Sequence, residues 1–290
     1  LSTGRSLDNQ PNERVDTTYN FDSIPQCTTT CYVNVATGDD FTKGGTSPAD
    51  AKKTIQAAVD TVSSGGTVVV AAGTYPEHVV IGKPLTLQGP NAGVNPNLSS
   101  RNAEARVVPP ANNYNGNSVS SAVIVLNADG ITLDGLLIDG DNTAVGGGVA
   151  MNGADVNAFY GIVNNFADGT FAILAYAEET TIRNSIIRNF SEGVDLFATG
   201  STSSGTAITN NRFDNMASRD DSSRGIVIGD NFYAAITGNV MTRVYNGVQT
   251  NNYNLAGSPA TISGNQISSY RAGILHNLHY QDASTFTIAN

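Results

Sequence analysis

Five isoleucines constrain this chain more than any other feature. Ile182, Ile208, Ile236, Ile262 and Ile288 follow one another at spacings of 26, 28, 26 and 26 residues. Each of the first four opens a similar string: Thr-Ile-Arg-Asn-Ser-Ile-Ile (181–187), Ala-Ile-Thr-Asn-Asn-Arg-Phe (207–213), Ala-Ile-Thr-Gly-Asn-Val-Met (235–241) and Thr-Ile-Ser-Gly-Asn-Gln-Ile (261–267). A second landmark follows each, at Gly193-Val194, Gly225-Ile226, Gly247-Val248 and Gly273-Ile274. The glycine lies 11 residues after its isoleucine in three units and 17 after it in the Ile208 unit. That unit therefore carries a six-residue insertion around Ala217–Ser222 and a four-residue deletion afterwards. A repeat of this length means a solenoid, in which no unit can bury its apolar face alone.

Within each unit the apolar positions are the leading Ile, the residue five on (Ile187, Phe213, Met241, Ile267) and the residue after the Gly. Short β-branched runs parted by polar turns read as strands. Three such strands fill one rung, and rungs stacked at about 4.8 Å pair every strand with its counterparts above and below. The expected fold is all-β: a right-handed parallel β-helix with rungs of about 26 residues. Asn211, Asn239 and Asn265 share one turn position, so their amides can hydrogen-bond along the stack as a ladder. Asn also tolerates a left-handed turn, and that alternative is equally structural.

A solenoid's first rung exposes an apolar end and free strand edges that must be covered. Ser47-Pro48-Ala49-Asp50 has the form of a helix start, and Ile55, Ala58, Val59 and Val62 give one apolar face before Ser64-Gly65-Gly66. Residues 47–62 are thus expected to form a capping helix packed across the first rung. The strands Thr67–Val70, Val79–Ile81 and Leu85–Leu87 follow. The expected division is an N-terminal extension and cap at 1–46 and the β-helix at 47–290, as part of a longer chain or assembly.

Composition narrows the partners. Net charge is −10 and only four lysines occur (Lys43, Lys52, Lys53, Lys83), which argues against a nucleic-acid partner, whose phosphates demand clustered cations. No apolar run is long enough for a transmembrane segment. The start at Leu1, without Met or signal peptide, is expected of a processed protein or an excerpt. Cys27 and Cys31 lack the neighbours of a metal site and the spacing of a redox pair, so they read as a disulfide-closed loop. With the Lys-poor, Thr- and Asn-rich surface, this gives a secreted or cell-surface location.

Thr54-Ile55-Gln56-Ala57-Ala58, Gly66-Thr67-Val68, Gly73-Thr74-Tyr75-Pro76-Glu77 and Lys83-Pro84-Leu85-Thr86-Leu87-Gln88-Gly89 resemble the opening segment of the pectin-lyase-like superfamily. Gly89-Pro90-Asn91-Ala92-Gly93 and Ile131-Thr132-Leu133-Asp134-Gly135 are similar to its secreted, NosD-like branch. The resemblance runs over about residues 32–290 and implies the fold. It leaves function open, because that superfold serves lyases, hydrolases, esterases, epimerases, phage adhesins and non-enzymatic surface proteins. The family's methylesterases need Gln-Asp-Thr-Leu and Asp-Phe-Ile-Phe-Gly, neither of which occurs; Gln281-Asp282-Ala283-Ser284 is a fragment of the first. The hydrolases carry Asn-Thr-Asp, an Asp pair and Gly-His-Gly, and the epimerases Asp-Pro-His; His78, His276 and His279 stand in neither His-containing context. The lyases use a Lys or Arg base, often with Ca²⁺, and here only Arg is available in the rungs.

Two constellations remain. The inserted loop gathers Arg219, Asp220 and Asp221 near Arg224, and the repeat alignment stacks Glu192 on Arg224, with Asp195 close by, Arg243 one rung on, and Asp230 past the loop. These are the candidate catalytic residues of a lyase (Arg219, Arg224, Asp220, Asp221) and candidate Ca²⁺ ligands (Asp220, Asp221, Asp230). The opposing reading is a solvated salt-bridge patch. Tyr245, Tyr253, Tyr270 and Tyr280, with His276 and His279, fall on the last rungs; the tyrosines either stack on sugar or pack as core. His276 aligns with Leu196, Ile228 and Thr250, which favours a structural residue. Glu192, Asp195, Tyr245 and Tyr270 are the candidate ligand-binding residues. Asp139 and Asp141 read as turn residues, with Ca²⁺ as the alternative.

The sequence favours an extracellular, non-catalytic solenoid with a structural or adhesive role, needing no cofactor. It would bind a polysaccharide or surface glycan, or associate with itself through the C-terminal rung. The alternative is an acidic-polysaccharide lyase or glycoside hydrolase of the same fold, with Ca²⁺ as cofactor.

Overall fold

The structure is a computed structural model that describes residues 24–110, 122–142, 144, 171–197, 205–216, 223–229, 232–251, 261–276 and 287–289. The strands run β1 (Thr30–Val33); β2–β4 (Thr67–Val70, Gly73–Pro76, Val79–Ile81); β5–β7 (Thr86–Gln88, Ala105–Val108, Ala122–Leu126); and β8–β10 (Thr132–Asp134, Leu137–Asp139, Phe171–Ala175). They continue as β11–β13 (Thr181–Arg183, Ile186–Phe190, Glu192–Leu196); β14–β16 (Thr206–Thr209, Arg212–Met216, Arg224–Ile228); β17 and β18 (Ala234–Thr237, Val240–Thr250); β19 and β20 (Thr261–Ser263, Gln266–His276); and β21 (Thr287–Ala289). All pairings between them are parallel and join each strand to its counterpart one rung away. The first sheet follows the order β1-β2-β5-β8-β11-β14-β17-β19-β21. The second face (β3, β6, β9, β12, β15) and the third (β4, β7, β10, β13, β16) merge where β18 and β20 run through both. The chain is a right-handed parallel β-helix, as the repeat predicts.

Ile182, Ile208, Ile236 and Ile262 form the inward column that their spacing requires, and the Ile288 backbone continues its register. Ile182, Ile208, Ile236, Ile262 and Ile288 pair in register, and the column extends back through Leu133, Leu87 and Val68 to Cys31. Its members from Cys31 to Ile262 are buried. A second column, Tyr75, Val107, Ile138, Ile187, Phe213, Met241 and Ile267, faces it from the second sheet. The repeated glycines have a steric cause. A Cβ on Gly193 would lie 2.4 Å from the Gly225 carbonyl and 3.0 Å from the Phe213 ring. One on Gly225 would meet the Gly247 carbonyl at 2.7 Å and the Met241 sulfur at 3.1 Å. The third strand thus passes directly over the second column's side chains.

The asparagine ladder is present: Asn211 Nδ2 donates to Asn239 Oδ1 (3.1 Å), and Asn239 Nδ2 to Asn265 Oδ1 (2.9 Å). The left-handed backbone belongs to the residue before each, at Asn210, Gly238 and Gly264. The two readings of these asparagines therefore separate onto neighbouring positions.

The cap differs from a single helix over 47–62. Ser47 caps only a 3-10 turn, Pro48–Asp50, after which Ala51 is extended (ψ 144°). The Lys52 N–H donates to the Tyr32 carbonyl and its own carbonyl accepts from Asn34, so this residue is committed to sheet pairing with β1. The helix proper, α1 (Ile55–Thr61), starts afresh on Thr54, whose side chain accepts from Ala57 N–H. Its buried Ile55, Ala58 and Val59 join the core above the first rung. Glu77 accepts from the N–H groups of Ile55 and Gln56, and the Tyr75 hydroxyl donates to the Ala71 carbonyl. The Gly-x-Tyr-x-Glu string thus fastens the cap. Cys27 and Cys31 are disulfide-bonded. Since β1 already belongs to the first sheet, the expected boundary at residue 46 falls after the coil has begun.

Candidate functional site

The third sheet carries the most chemically varied outer surface. Along its strands Val194, Leu196, Ile226, Ile228 and Val248 point into the core, while the residue after each of Val194, Ile226 and Val248, and the residue two before it, face outward. Two outward rows run across successive rungs. One is Phe171, Glu192, Arg224 and Asn246; the other is Val80, Val125, Leu174, Asp195, Val227 and Gln249. Val125, Leu174 and Ala122 make a small apolar cluster there, with Val80, Phe171 and Tyr176 packed on it.

Glu192 stacks on Arg224 as the alignment predicts, with Oε1 at 2.9 Å from Nη1. Arg224 Nε donates to Gln249 Oε1 (2.6 Å), and Gln249 Nε2 to Asn251 Oδ1 (2.9 Å). Asp195 is different. It is 8% exposed, lies between Leu174 and Val227, and accepts no hydrogen bond among the described residues. Burial pushes its carboxyl up to about 6, against the opposing pull of Arg224. Asn246 Oδ1, in the adjacent row, is likewise buried without a partner among the described residues.

Two residues beyond Leu174 and Asp195 the alternation brings out Tyr176 and Phe197. Their rings meet edge to face, with centroids 5.9 Å apart and planes at 61°. Phe197 is 55% exposed. On the next rung Gly229 donates to the Leu196 carbonyl and presents no side chain beside that ring. An open aromatic face and a nearly buried carboxylate thus share one surface.

Of the other residues singled out from sequence, Arg219, Asp220, Asp221 and Asp230 lie outside the described residues, as do Tyr253, His279 and Tyr280. The backbone of Tyr270 belongs to β20, and His276 takes its expected place in the column after Leu196, Ile228 and Thr250. Tyr245 is no exposed platform: it is buried, with the Arg271 guanidinium 5.8 Å from its ring centroid. The strand shifts register there on both sides of Val244. Arg243 pairs with Asp214 rather than joining Glu192. The Asp139 carboxylate is taken up by Arg106 and Arg188 and by Asn189 Nδ2, an ion-paired corner in place of a calcium ligand. Among the described residues no three His, Cys, Asp or Glu side chains converge as a metal site. Sequence reading missed Tyr176, Phe197, Asn246 and Gln249. The available signal was alternation, which puts Phe197 on the same face as Asp195.

Residues 196–285 match the family described as "Protein of unknown function (DUF1565)". No curated protein matches the chain. Among solved structures, the chain is similar to a pectin methylesterase from Aspergillus niger, at 14% identity over 90% of this chain and 83% of that one, with a TM-score of 0.43. By its fold the chain is a right-handed parallel β-helix, and its residues 196–285 match the DUF1565 family.

Proposed function

We propose that this chain is an extracellular, non-catalytic β-solenoid with an adhesive role, binding glycan on the outer face of its third sheet. The observation that carries the reading is the Tyr176–Phe197 pair set beside Asp195. The C–H face of a pyranose packs on an aromatic ring and buries apolar area, while nearby polar groups fix its orientation. The disulfide supports an oxidising compartment. The guanidinium of Arg224 is engaged by Glu192 and Gln249, which supports a positioning role over that of a free base. The test is a glycan array run beside an absorbance assay for unsaturated uronates. Binding without release of unsaturated product is expected.

One observation favours the second reading, an acidic-polysaccharide lyase or hydrolase: a carboxyl titrating at about 6 near an arginine is the kind of group acid–base catalysis uses. Cleavage of polygalacturonate or alginate by the purified chain, abolished in Arg224→Ala, would install that reading in place of the first.

A further inference from the structure

We propose that the face around Phe197 selects neutral, hydroxyl-bearing pyranose chains and discriminates against uronates, an inference that rests on the glycan reading above. Three observations point the same way. The first is the kind of hydrogen bond the surface lacks. Its Asp195 carboxylate, an acceptor, takes up no hydrogen bond among the described residues. A buried acceptor left unmet is costly, so the complementary ligand is one that supplies donors. Sugar hydroxyls donate; an ionised uronate carboxylate only accepts.

The second is charge. Glu192 and Asp195 stand against Arg224 in these rows, and Arg224 is already held by Glu192 at 2.9 Å. No lysine follows Lys83 and the whole chain carries −10. A uronate would bring a further negative charge to a surface whose cation is already partnered, and at a partly buried site such repulsion is poorly screened. The third is shape. Tyr176 meets Phe197 at one edge, and Gly229 leaves the neighbouring rung without a side chain. That opening suits a flat ring laid against Phe197, with its rim hydroxyls reaching towards Asp195.

The experiment is titration calorimetry at pH 7.5 on the purified chain. The probes are neutral hexasaccharides of the gluco, galacto, manno and xylo series, with hexagalacturonate and hexamannuronate beside them. At least one neutral series is expected to bind about tenfold or more tighter than either uronate. Phe197→Ala and Phe197→Leu should each weaken that binding about tenfold with unchanged far-ultraviolet circular dichroism, because leucine keeps bulk and loses the flat face. Asp195→Asn should narrow the preference by improving uronate binding, a change that a merely structural residue would not produce. Uronates binding as tightly as neutral chains, or an unchanged preference in Asp195→Asn, would overturn the selectivity while leaving glycan binding standing. If neither class binds, the glycan reading itself falls, and the selectivity with it.

Discussion

Asn239 Oδ1 accepts two hydrogen bonds from Asn211, one from its backbone N–H at 2.9 Å and one from Nδ2 at 3.1 Å. In return the Asn239 amide donates to the Ile208 carbonyl at 2.8 Å and to Asn265 Oδ1 at 2.9 Å. This one buried side chain thus ties together three successive rungs. Asn239→Leu would leave donors and acceptors unmet on both neighbours, at about 1–3 kcal/mol for each stranded group. We expect a loss of about 3 kcal/mol or more in urea unfolding. A midpoint unchanged from wild type would mean that the ladder contributes nothing.

Phe213 is fully buried beneath Gly193. Phe213→Ala should cost about 3–5 kcal/mol as a large-to-small core change. Gly193→Ala should also destabilise, by about 1–3 kcal/mol, because its methyl would press on both the Phe213 ring and the Gly225 carbonyl. Thermal melts of the two variants check both, and a near-neutral Gly193→Ala would show that the strand can shift to admit a methyl.

Asp195 makes stability depend on pH in an unusual direction. Its carboxyl titrates at about 6 in the fold against 3.8 for an ordinary aspartate, so between these values the folded chain holds a proton that the unfolded chain has released. This residue's penalty is therefore fully present above pH 6 and fades as pH falls towards 4. At 1.36 kcal/mol per unit the full span is about 3 kcal/mol. Asp195→Asn should be more stable than wild type at pH 8, with the gap closing by pH 4, as read from urea midpoints at the two pH values. An equal gap at both would remove burial of the charge as its cause.

The parts of the fold that repeat were the most legible in the sequence. The isoleucine column, the Asn211–Asn239–Asn265 ladder and the Glu192–Arg224 stack all follow from aligning rungs, because parallel stacking puts equivalent residues one above another. The break in the cap escaped notice since it depends on Lys52 pairing with β1, a contact 19 residues away in the chain. The aromatic surface was misplaced for a different reason. Gly193 and Val194 both face inward, so alternation counted from Ile182 slips by one at the glycine and misplaces Phe197, which alternation counted from Asp195 puts outward; Tyr245 lies before its rung's glycine, beside the register shifts at Val244.

The disulfide closes a short loop at the cap end of the isoleucine column. Chain-entropy arguments assign a loop of this size about 2 kcal/mol. Cys27→Ser should lower stability by roughly that amount, and a reducing agent should lower wild type to the same level. If dithiothreitol leaves the melting temperature unmoved, the cap is held by Glu77, Tyr75 and α1 without help from the sulfur atoms.

The stacked glycines have a meaning for how such a chain acquires new activities. By bringing the third strand down onto Phe213, Met241 and Ile267, they leave the bore of the coil solid with side chains. Within the described rungs, any residue changed in that bore alters the packing of several floors at once. The outer walls are less constrained: outward side chains such as Glu192, Arg224 and Gln249 touch across rungs, but changing one leaves the bore as it is. Among the described residues it is the outer wall whose vocabulary can change one floor at a time.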